Sequence, residues 1–194
     1  MSQSSAPSGL YVFKPWYAER LAGVRTWLRH RRVHPDAVSA AGVGFAAVAS
    51  AALVLLPPGP AALLVGPALA LRLAAANLDG ELARETGRAS RRGAVVNELS
   101  DRAAELVVLA GCLALAPAWI VLATMLAASA PSWVALAGAA AGAPRINGGP
   151  VGKTERCLLL TVLAAVPGGA TVLLVVIAVG SLLTAGVRAW KLRG

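Results

Sequence analysis

The chain has 194 residues, of which 57% are hydrophobic and 14% are charged, and its mean hydropathy is +0.68. A typical soluble domain contains about 25% charged residues, so this composition excludes an average soluble fold and favours a membrane protein. The formal net charge is +9. The basic residues nevertheless fall in clusters between long apolar stretches, which argues against a nucleic-acid-binding surface.

Residues 1–36 are predicted to form a polar N-terminus that contains an interfacial amphipathic helix. At helical spacing, large apolar side chains fall on one face and basic side chains on the other, as in helices that lie on an anionic membrane surface. The apolar face comprises Phe13, Trp16, Tyr17, Leu21, Val24, Trp27 and Leu28. The basic face comprises Lys14, Arg25, Arg29 and Arg32. A disordered basic tail is the alternative interpretation.

Residues 37–194 are predicted to form one domain of six transmembrane helices, so the fold class is an all-α membrane protein. A membrane-spanning helix needs about 20 apolar residues, and basic clusters or uncharged Pro/Gly turns separate the apolar stretches of this chain. The predicted helices span residues 37–56, 61–83, 94–116, 118–141, 157–166 and 170–187. Because basic loops favour the cytoplasmic side, both termini are expected in the cytoplasm.

The fifth apolar stretch is short, and one long helix over residues 154–187 is an alternative. In that arrangement Lys153 and Arg188 would face opposite sides of the membrane, against the positive-inside rule. A break at residues 167–169, Pro-Gly-Gly, keeps both ends on the cytoplasmic side. The six-helix arrangement is therefore favoured.

Acidic residues are concentrated in one part of the chain, which predicts a functional site there. Six of the nine lie between residues 79 and 105. Asp79 is at the inner end of the second predicted helix, whereas Gly93, Asn97 and Asp101 recur every four residues along the third and share one face. Carboxylate and amide oxygens are ligands of Mg²⁺ and Mn²⁺, and carboxylates inside membranes are usually functional. Asp79, Asn97 and Asp101 are therefore candidate metal ligands.

This segment resembles the motif of the CDP-alcohol phosphatidyltransferase family, Asp-x-x-Asp-Gly-x-x-Ala-Arg, eight residues, then Gly-x-x-x-Asp-x-x-x-Asp. Six of the eight fixed positions match at unbroken spacing: Asp79, Gly80, Ala83, Arg84, Gly93 and Asp101. Ala76 and Asn97 stand where the family has the first and third Asp. The six predicted helices, the amphipathic N-terminus and the His34-Pro35-Asp36 start of the first helix are also similar to the family.

The resemblance implies a reaction. Such enzymes transfer a substituted phosphate from a CDP-alcohol, usually CDP-diacylglycerol, to the hydroxyl group of a second, small alcohol and release CMP in phospholipid biosynthesis. By the motif, Asp101 is the general base and a metal ligand, and Asp79 and Asn97 are further ligands of Mg²⁺ or Mn²⁺. The cytidine diphosphate would contact Gly80, Ala83, Arg84 and Gly93. The family also implies a homodimer in the inner (plasma) membrane whose active site faces the cytoplasm.

The two departures from the motif leave the activity open. Asp79 and Asp101 supply two formal charges where the family has four, which weakens the binding of a metal pair unless Glu81, Glu98 or a substrate phosphate completes the coordination. A one-metal site, an altered substrate and a lapsed enzyme are all compatible with this pattern. As a structural alternative, Gly and Ala at four-residue spacing also allow close packing of membrane helices.

The basic loop that follows the fourth predicted helix is a candidate acceptor site. By resemblance to family members with phosphorylated acceptors, Arg145, Lys153 and Arg156 would bind the acceptor's phosphate. The alternative is that they are positive-inside anchors paired with lipid headgroups. Gly152-Lys153-Thr154 matches the end of a nucleotide-binding P-loop, but Asn147 replaces its leading Gly, so a P-loop is excluded. Arg72, within an apolar stretch, is predicted to partner Asp79 or a substrate phosphate.

Two other classes of function compete with the transferase. The missing carboxylates favour a catalytically silent lipid- or nucleotide-binding membrane protein. Charges within the membrane also suit a small transporter, although no inverted repeat is visible and the motif lies at a helix end instead of the midplane.

Overall fold

The computed structural model describes residues 19–144 and 146–193, and all regular elements within them are helical. The α-helices are α1 (Ala22–His30), α2 (Pro35–Leu55), α3 (Pro58–Glu85), α4 (Arg91–Gly111), α5 (Ala118–Ala140), α6 (Lys153–Ala165) and α7 (Ala170–Lys191). Short 3₁₀ turns at Cys112–Ala114 and Pro167–Gly169 follow α4 and precede α7. The predicted all-α class is confirmed.

Four of these helices, α2, α3, α5 and α7, are long and apolar enough to cross a membrane. The other two helices of the predicted bundle differ in a way that composition explains. α4 has six charged residues among its 21, and α6 is only 13 residues long. Six membrane crossings therefore remain a prediction, although a helix is present at each of the six predicted positions.

Local sequence determines where the helices next to the motif begin and turn. Pro35 occupies the first turn of α2, and the Nδ1 atom of His34 accepts a hydrogen bond from the Asp36 amide at 3.3 Å. Ser90 caps α4 by accepting from the Gly93 amide at 3.0 Å. Gly87, with φ +66°, provides the left-handed turn between α3 and α4. These signals place the end of α3 beside the start of α4.

Small residues allow the helices around the motif to pack closely. α2 packs along both α3 and α4, α5 packs against α7, and α6 packs against α3. A Cβ atom added to Gly111 of α4 would lie 2.8 Å from the Ser50 side chain and 2.9 Å from its backbone. The main core contains buried alanines of α2 and α3, with Leu109, Leu163 and Leu174 fully buried among them. These contacts determine how closely α2 and α4 approach each other.

The described part of the predicted amphipathic helix is α1. Leu21 and Leu28 pack against a small apolar cluster of α2 and α3, while Val24 and Trp27 of the predicted apolar face remain exposed. On its other side, Arg25 bonds Glu81 at 2.6 Å and Glu85 at 2.9 Å, which ties α1 to the end of α3. Its location at a membrane surface remains a prediction. Phe13, Lys14, Trp16 and Tyr17 lie outside the described residues.

Candidate functional site

Asp79 is held at the point where α2, α3 and α4 meet. It is only 3% exposed, and its Oδ2 atom accepts a hydrogen bond from the Ser39 hydroxyl at 2.6 Å. Its Oδ1 atom accepts from the Gly80 amide at 2.6 Å and from the Asn97 side-chain amide at 3.4 Å. The motif acid thus has a fixed orientation, determined by groups from three helices.

Asp101 lies one helical turn after Asn97 and faces the same region. Its carboxylate forms an ion pair with the Lys153 ammonium group at the start of α6. Its backbone carbonyl accepts from Arg72 Nη2 at 3.3 Å. Asp79, Asn97 and Asp101 together line a narrow gap of about 10 Å³. The structure therefore brings the three predicted metal ligands to one place.

The oxygen donors at this gap are of the kind that hard divalent cations bind. Two carboxylates and the amide oxygen of Asn97 supply part of the six or more oxygen ligands that Mg²⁺ or Mn²⁺ takes, with water or substrate phosphates for the rest. Ala76 lines the same gap with a methyl group. No cluster of three or more His, Cys, Asp or Glu that could hold a metal occurs in the part of the chain that the structure describes. The described residues thus supply two carboxylates at the gap, Asp79 and Asp101.

One side of the gap opens into a cavity of about 570 Å³, named here the motif cavity. All four residues predicted to contact cytidine diphosphate line it: Gly80, Ala83, Arg84 and Gly93. Small side chains leave space against the backbone, and a Cβ on Gly80 would meet nothing closer than 3.5 Å. Arg88 and Arg92 add positive charge to the wall, which suits an anionic ligand.

The other side of the gap faces a cavity of about 480 Å³, named here the loop cavity, which is lined by α3, α4, α5, α6, the end of α7 and residues 147–152. Asp101, Lys153 and Arg156 line it, so two of the three predicted acceptor residues lie together. Arg145, the third, lies outside the described residues. Arg84 and Asn97 line both cavities, which therefore adjoin at the gap.

A buried ion-pair network forms one wall of the loop cavity. Arg156, which is 5% exposed, donates from Nε to Glu105 at 2.6 Å. The second oxygen of Glu105 accepts from Arg102, whose Nε atom lies 3.6 Å from Glu98. Sequence reasoning missed the roles of Glu105 and Arg102. The signal was their spacing, because Glu98, Asp101 and Glu105 recur at intervals of three and four on one face of α4.

Two other charged residues point elsewhere than the sequence suggested. Arg72 is 3% exposed and donates to the Asp101 carbonyl and to Cys157 Sγ at 3.4 Å, so it supports α4 and α6 rather than the Asp79 carboxylate. Glu81, considered as an additional metal ligand, is paired with Arg25. Glu81 therefore adds no oxygen to the gap, whereas Arg72 lines it.

The loop that lines the second cavity is seated directly on α7. Gly149 has φ +134°, and a Cβ atom there would overlap the Thr184 side chain. One added to Gly180 would overlap Val151. The Val151 amide donates to Thr184 Oγ1 at 3.0 Å, and Arg188 Nε donates to the Gly148 carbonyl at 2.9 Å. This part of the cavity wall therefore has a defined position on the helix.

The chain matches one protein family and is similar to a bacterial inner membrane protein. The sequence profile of the CDP-alcohol phosphatidyltransferase family matches residues 32–187. Inner membrane protein YnbA of Escherichia coli (strain K12) is 27% identical over 152 residues, which cover 77% of this chain and 76% of that protein.

Two crystal structures of the phosphatidylinositol phosphate synthase PgsA1 of Mycobacterium tuberculosis share the fold. The structure with CDP-DAG bound has a TM-score of 0.66 at 24% identity, over 88% of this chain and 92% of that one. The structure with manganese and citrate has a TM-score of 0.67 at 23% identity, over 88% of each chain. At this level of identity the likeness concerns the fold.

Proposed function

Since the chain belongs to the CDP-alcohol phosphatidyltransferase family, we propose that it transfers a substituted phosphate from a CDP-linked lipid to a small alcohol and releases CMP. The observation that supports this most directly is the meeting of Asp79, Asn97 and Asp101 at a gap between two cavities. Such a gap suits a reaction in which a nucleotide donor and an alcohol approach from opposite sides. CDP-diacylglycerol is the first candidate donor, because a PgsA1 structure has CDP-DAG bound.

In the proposed reaction, the motif cavity binds the cytidine diphosphate group. Gly80, Ala83 and Gly93 allow the diphosphate to approach the backbone, and Arg84 offers its guanidinium group at the junction of the two cavities. The acceptor hydroxyl forms a bond to the lipid-linked phosphorus as the anhydride bond breaks and CMP leaves with the electron pair. Asp101 takes the proton from the hydroxyl, and Lys153 holds its carboxylate toward the acceptor side.

Asp79, Asn97 and Asp101 are the proposed ligands of Mg²⁺ or Mn²⁺. A PgsA1 structure contains manganese, which supports a divalent cation in this fold. When bound, the cation would neutralise charge on the diphosphate. The orientation of Asp79 supports this position, because Ser39 and the Gly80 amide bond its carboxylate at the gap.

In the proposed membrane arrangement, α2–α7 cross the membrane six times, both termini are cytoplasmic and α1 lies on the inner surface. The relative YnbA is named an inner membrane protein, which supports the same location here. We expect a homodimer by family membership, detectable as a crosslinked pair. Tags at both termini should be protected from labels outside intact cells, whereas residues 57–60 should be labelled. External labelling of either terminus contradicts six crossings.

Release of CMP tests the proposed reaction. The purified chain in liposomes with CDP-diacylglycerol, a panel of alcohols and Mg²⁺ or Mn²⁺ should release CMP and form a new phospholipid, measured by chromatography and mass spectrometry. Chelation of the metal should stop both. No metal-dependent CMP release across a panel of CDP-lipids and alcohols would exclude the transferase.

A catalytically silent binding protein is the second candidate, favoured by Ala76 and Asn97 at the gap. The double substitution Ala76→Asp and Asn97→Asp separates the two by the sign of its effect. In a lapsed enzyme, the restored carboxylates should raise metal affinity and create CMP release. In an enzyme adapted to its reduced site, wild type already releases CMP, and the added charges should slow it by repelling the diphosphate.

A further inference from the structure

We infer that the acceptor is an uncharged polyhydroxy alcohol and not a phosphate ester, because carboxylates of the chain already pair with Arg102, Lys153 and Arg156 of the loop cavity. This inference rests on the proposed transferase function and names its acceptor class. It replaces the expectation that Lys153 and Arg156 bind an acceptor phosphate.

Arg156 is the residue for which this is clearest. Its Nε atom donates to Glu105 at 2.6 Å and its Nη1 atom donates to the Val151 carbonyl at 3.3 Å. Recognition of a phosphate by arginine uses adjacent N–H groups in a bidentate pair. Here one Glu105 oxygen already accepts from Nε, its other oxygen accepts from Arg102, and both side chains of the Arg156–Glu105 pair are at least 90% buried. A phosphate would have to displace Glu105 and leave its carboxylate buried without its partner.

Arg102 is neutralised by the same network. It donates to the second Glu105 oxygen and lies 3.6 Å from Glu98, one turn away on α4. The network thus contains two arginines and two carboxylates in alternation. Its net charge is zero, so it stabilises the cavity wall without attracting an anion.

Lys153 and the remaining carboxylates account for the other charges of the loop cavity. The Lys153 ammonium group is paired with Asp101, and Glu155, which also lines the cavity, accepts from the Gly152 amide at 3.0 Å. Among the described residues, the cationic side chains that line the loop cavity are Arg84, Arg102, Lys153, Arg156 and Arg188. The carboxylates on or directly behind its wall are Glu98, Asp101, Glu105 and Glu155. The excess of a single positive charge is small for a phosphate dianion.

The uncharged groups of the wall suit hydroxyl groups. Asn77, Ser132, Asn147 and Thr154 provide amides and hydroxyls that both donate and accept hydrogen bonds. Hydroxyl groups of a polyol can join these side chains without displacing any ion pair. The cavity volume of about 480 Å³ is within the usual range for small-molecule sites.

Paired acceptors test the acceptor class. CMP release from CDP-diacylglycerol is measured with glycerol against glycerol phosphate and with inositol against inositol phosphate. For wild type we expect kcat/KM to be at least about tenfold higher for the uncharged member of a pair. Preference for the phosphate ester overturns the proposal.

Carboxylate-to-amide substitutions test whether these carboxylates cause the preference for an uncharged acceptor. Glu105→Gln, and separately the less buried Glu98→Gln, should shift the kcat/KM ratio toward the phosphate ester by about tenfold. Glu85→Gln is the matched control, because Glu85 is also paired with an arginine but does not line either cavity. Folding is checked by size-exclusion chromatography. Equal ratios in wild type and both correctly folded variants contradict neutralisation by these residues.

Binding of inorganic phosphate separates this inference from the proposed function, because it needs no turnover. With excess CDP present to occupy the motif cavity, wild type should show no saturable phosphate binding by calorimetry at millimolar concentration, whereas Glu105→Gln or Glu98→Gln should bind it. Saturable binding by wild type under these conditions overturns the charge balance. Absence of CMP release with every acceptor overturns the proposed function and, with it, the acceptor assignment.

Discussion

The motif cavity and the loop cavity adjoin the same three polar residues but are constructed differently. The motif cavity is formed mainly by small residues and helix starts close together in the chain, such as Gly80, Gly93 and Ser90. The loop cavity depends on ion pairs between distant residues, with Glu105 and Arg156 51 positions apart and Asp101 and Lys153 52 apart. The first arrangement provides space for a ligand, whereas the second provides stability and balances charge.

The largest expected effect tests whether the loop side stabilises the fold. Glu105→Ala leaves Arg156 and Arg102 buried without their shared partner, and loss of one partner of a buried pair costs about 3–5 kcal/mol. We expect a clear drop in the unfolding temperature in detergent. Glu85→Ala, at a partly exposed pair, is the control and should change little. Equal drops in unfolding temperature in the two variants would mean that the buried ion pairs of the loop cavity stabilise the fold no more than a partly exposed pair does.

The next effect concerns Asp101, where the two cavities meet. Asp101→Asn keeps the side-chain shape but removes the base, and loss of a general base reduces turnover by about a hundredfold or more. The KM for the CDP-lipid should change much less than kcat. Glu19→Gln, an exposed change outside both cavities, is the control. Retention of full turnover by Asp101→Asn would assign the base to another group.

A smaller effect is expected at Asp79, on the motif side. Asp79→Asn removes one of the two charges of the proposed metal site and should weaken the apparent metal affinity by about tenfold. Excess Mg²⁺ or Mn²⁺ should restore part of the activity, which metal titrations of CMP release would measure. Asp101→Asn should show no such rescue of its lost base. If added metal restores both variants equally, the two acids do not have separate roles.

The smallest effect is expected at the contact between α1 and α3. Arg25→Gln removes ion pairs with Glu81 and Glu85 whose side chains are partly exposed, and such pairs contribute about 0–1 kcal/mol. The unfolding temperature and CMP release should stay close to wild type. A large loss of activity would mean that α1 participates in the site on the motif side.

Much of the fold was predictable because apolar length indicates helices directly. The predicted and observed ends differ mainly where charges or turns intervene. α6 begins at Lys153 rather than at residue 157, because Glu105 allows Arg156 to be buried inside a helix. α4 ends at Gly111 rather than at residue 116, because the chain tightens into a 3₁₀ turn before Pro117. Hydropathy does not detect charges that are neutralised by residues far away in the sequence.

The difference between local and long-range contacts also explains which parts of the site could be predicted. The meeting of Asp79 and Asn97 followed from helix periodicity and the spacing of one motif. The partner of Arg156 did not, because Glu105 is on another helix and nothing in the local sequence links the two. Arg72 was predicted to partner Asp79 or a substrate phosphate from its position on α3, whereas in the structure it donates to the Asp101 carbonyl and to Cys157.

The seating of the loop on α7 makes this wall of the loop cavity part of the helix. Gly149 and Gly180 leave no space for a methyl group, so residues 148–151 cannot slide along α7 independently. The Val151 amide and the Gly148 carbonyl are also bonded to Thr184 and Arg188 of the same helix. A substitution that shifts α7 should therefore also move residues 148–151 and change the shape of the loop cavity.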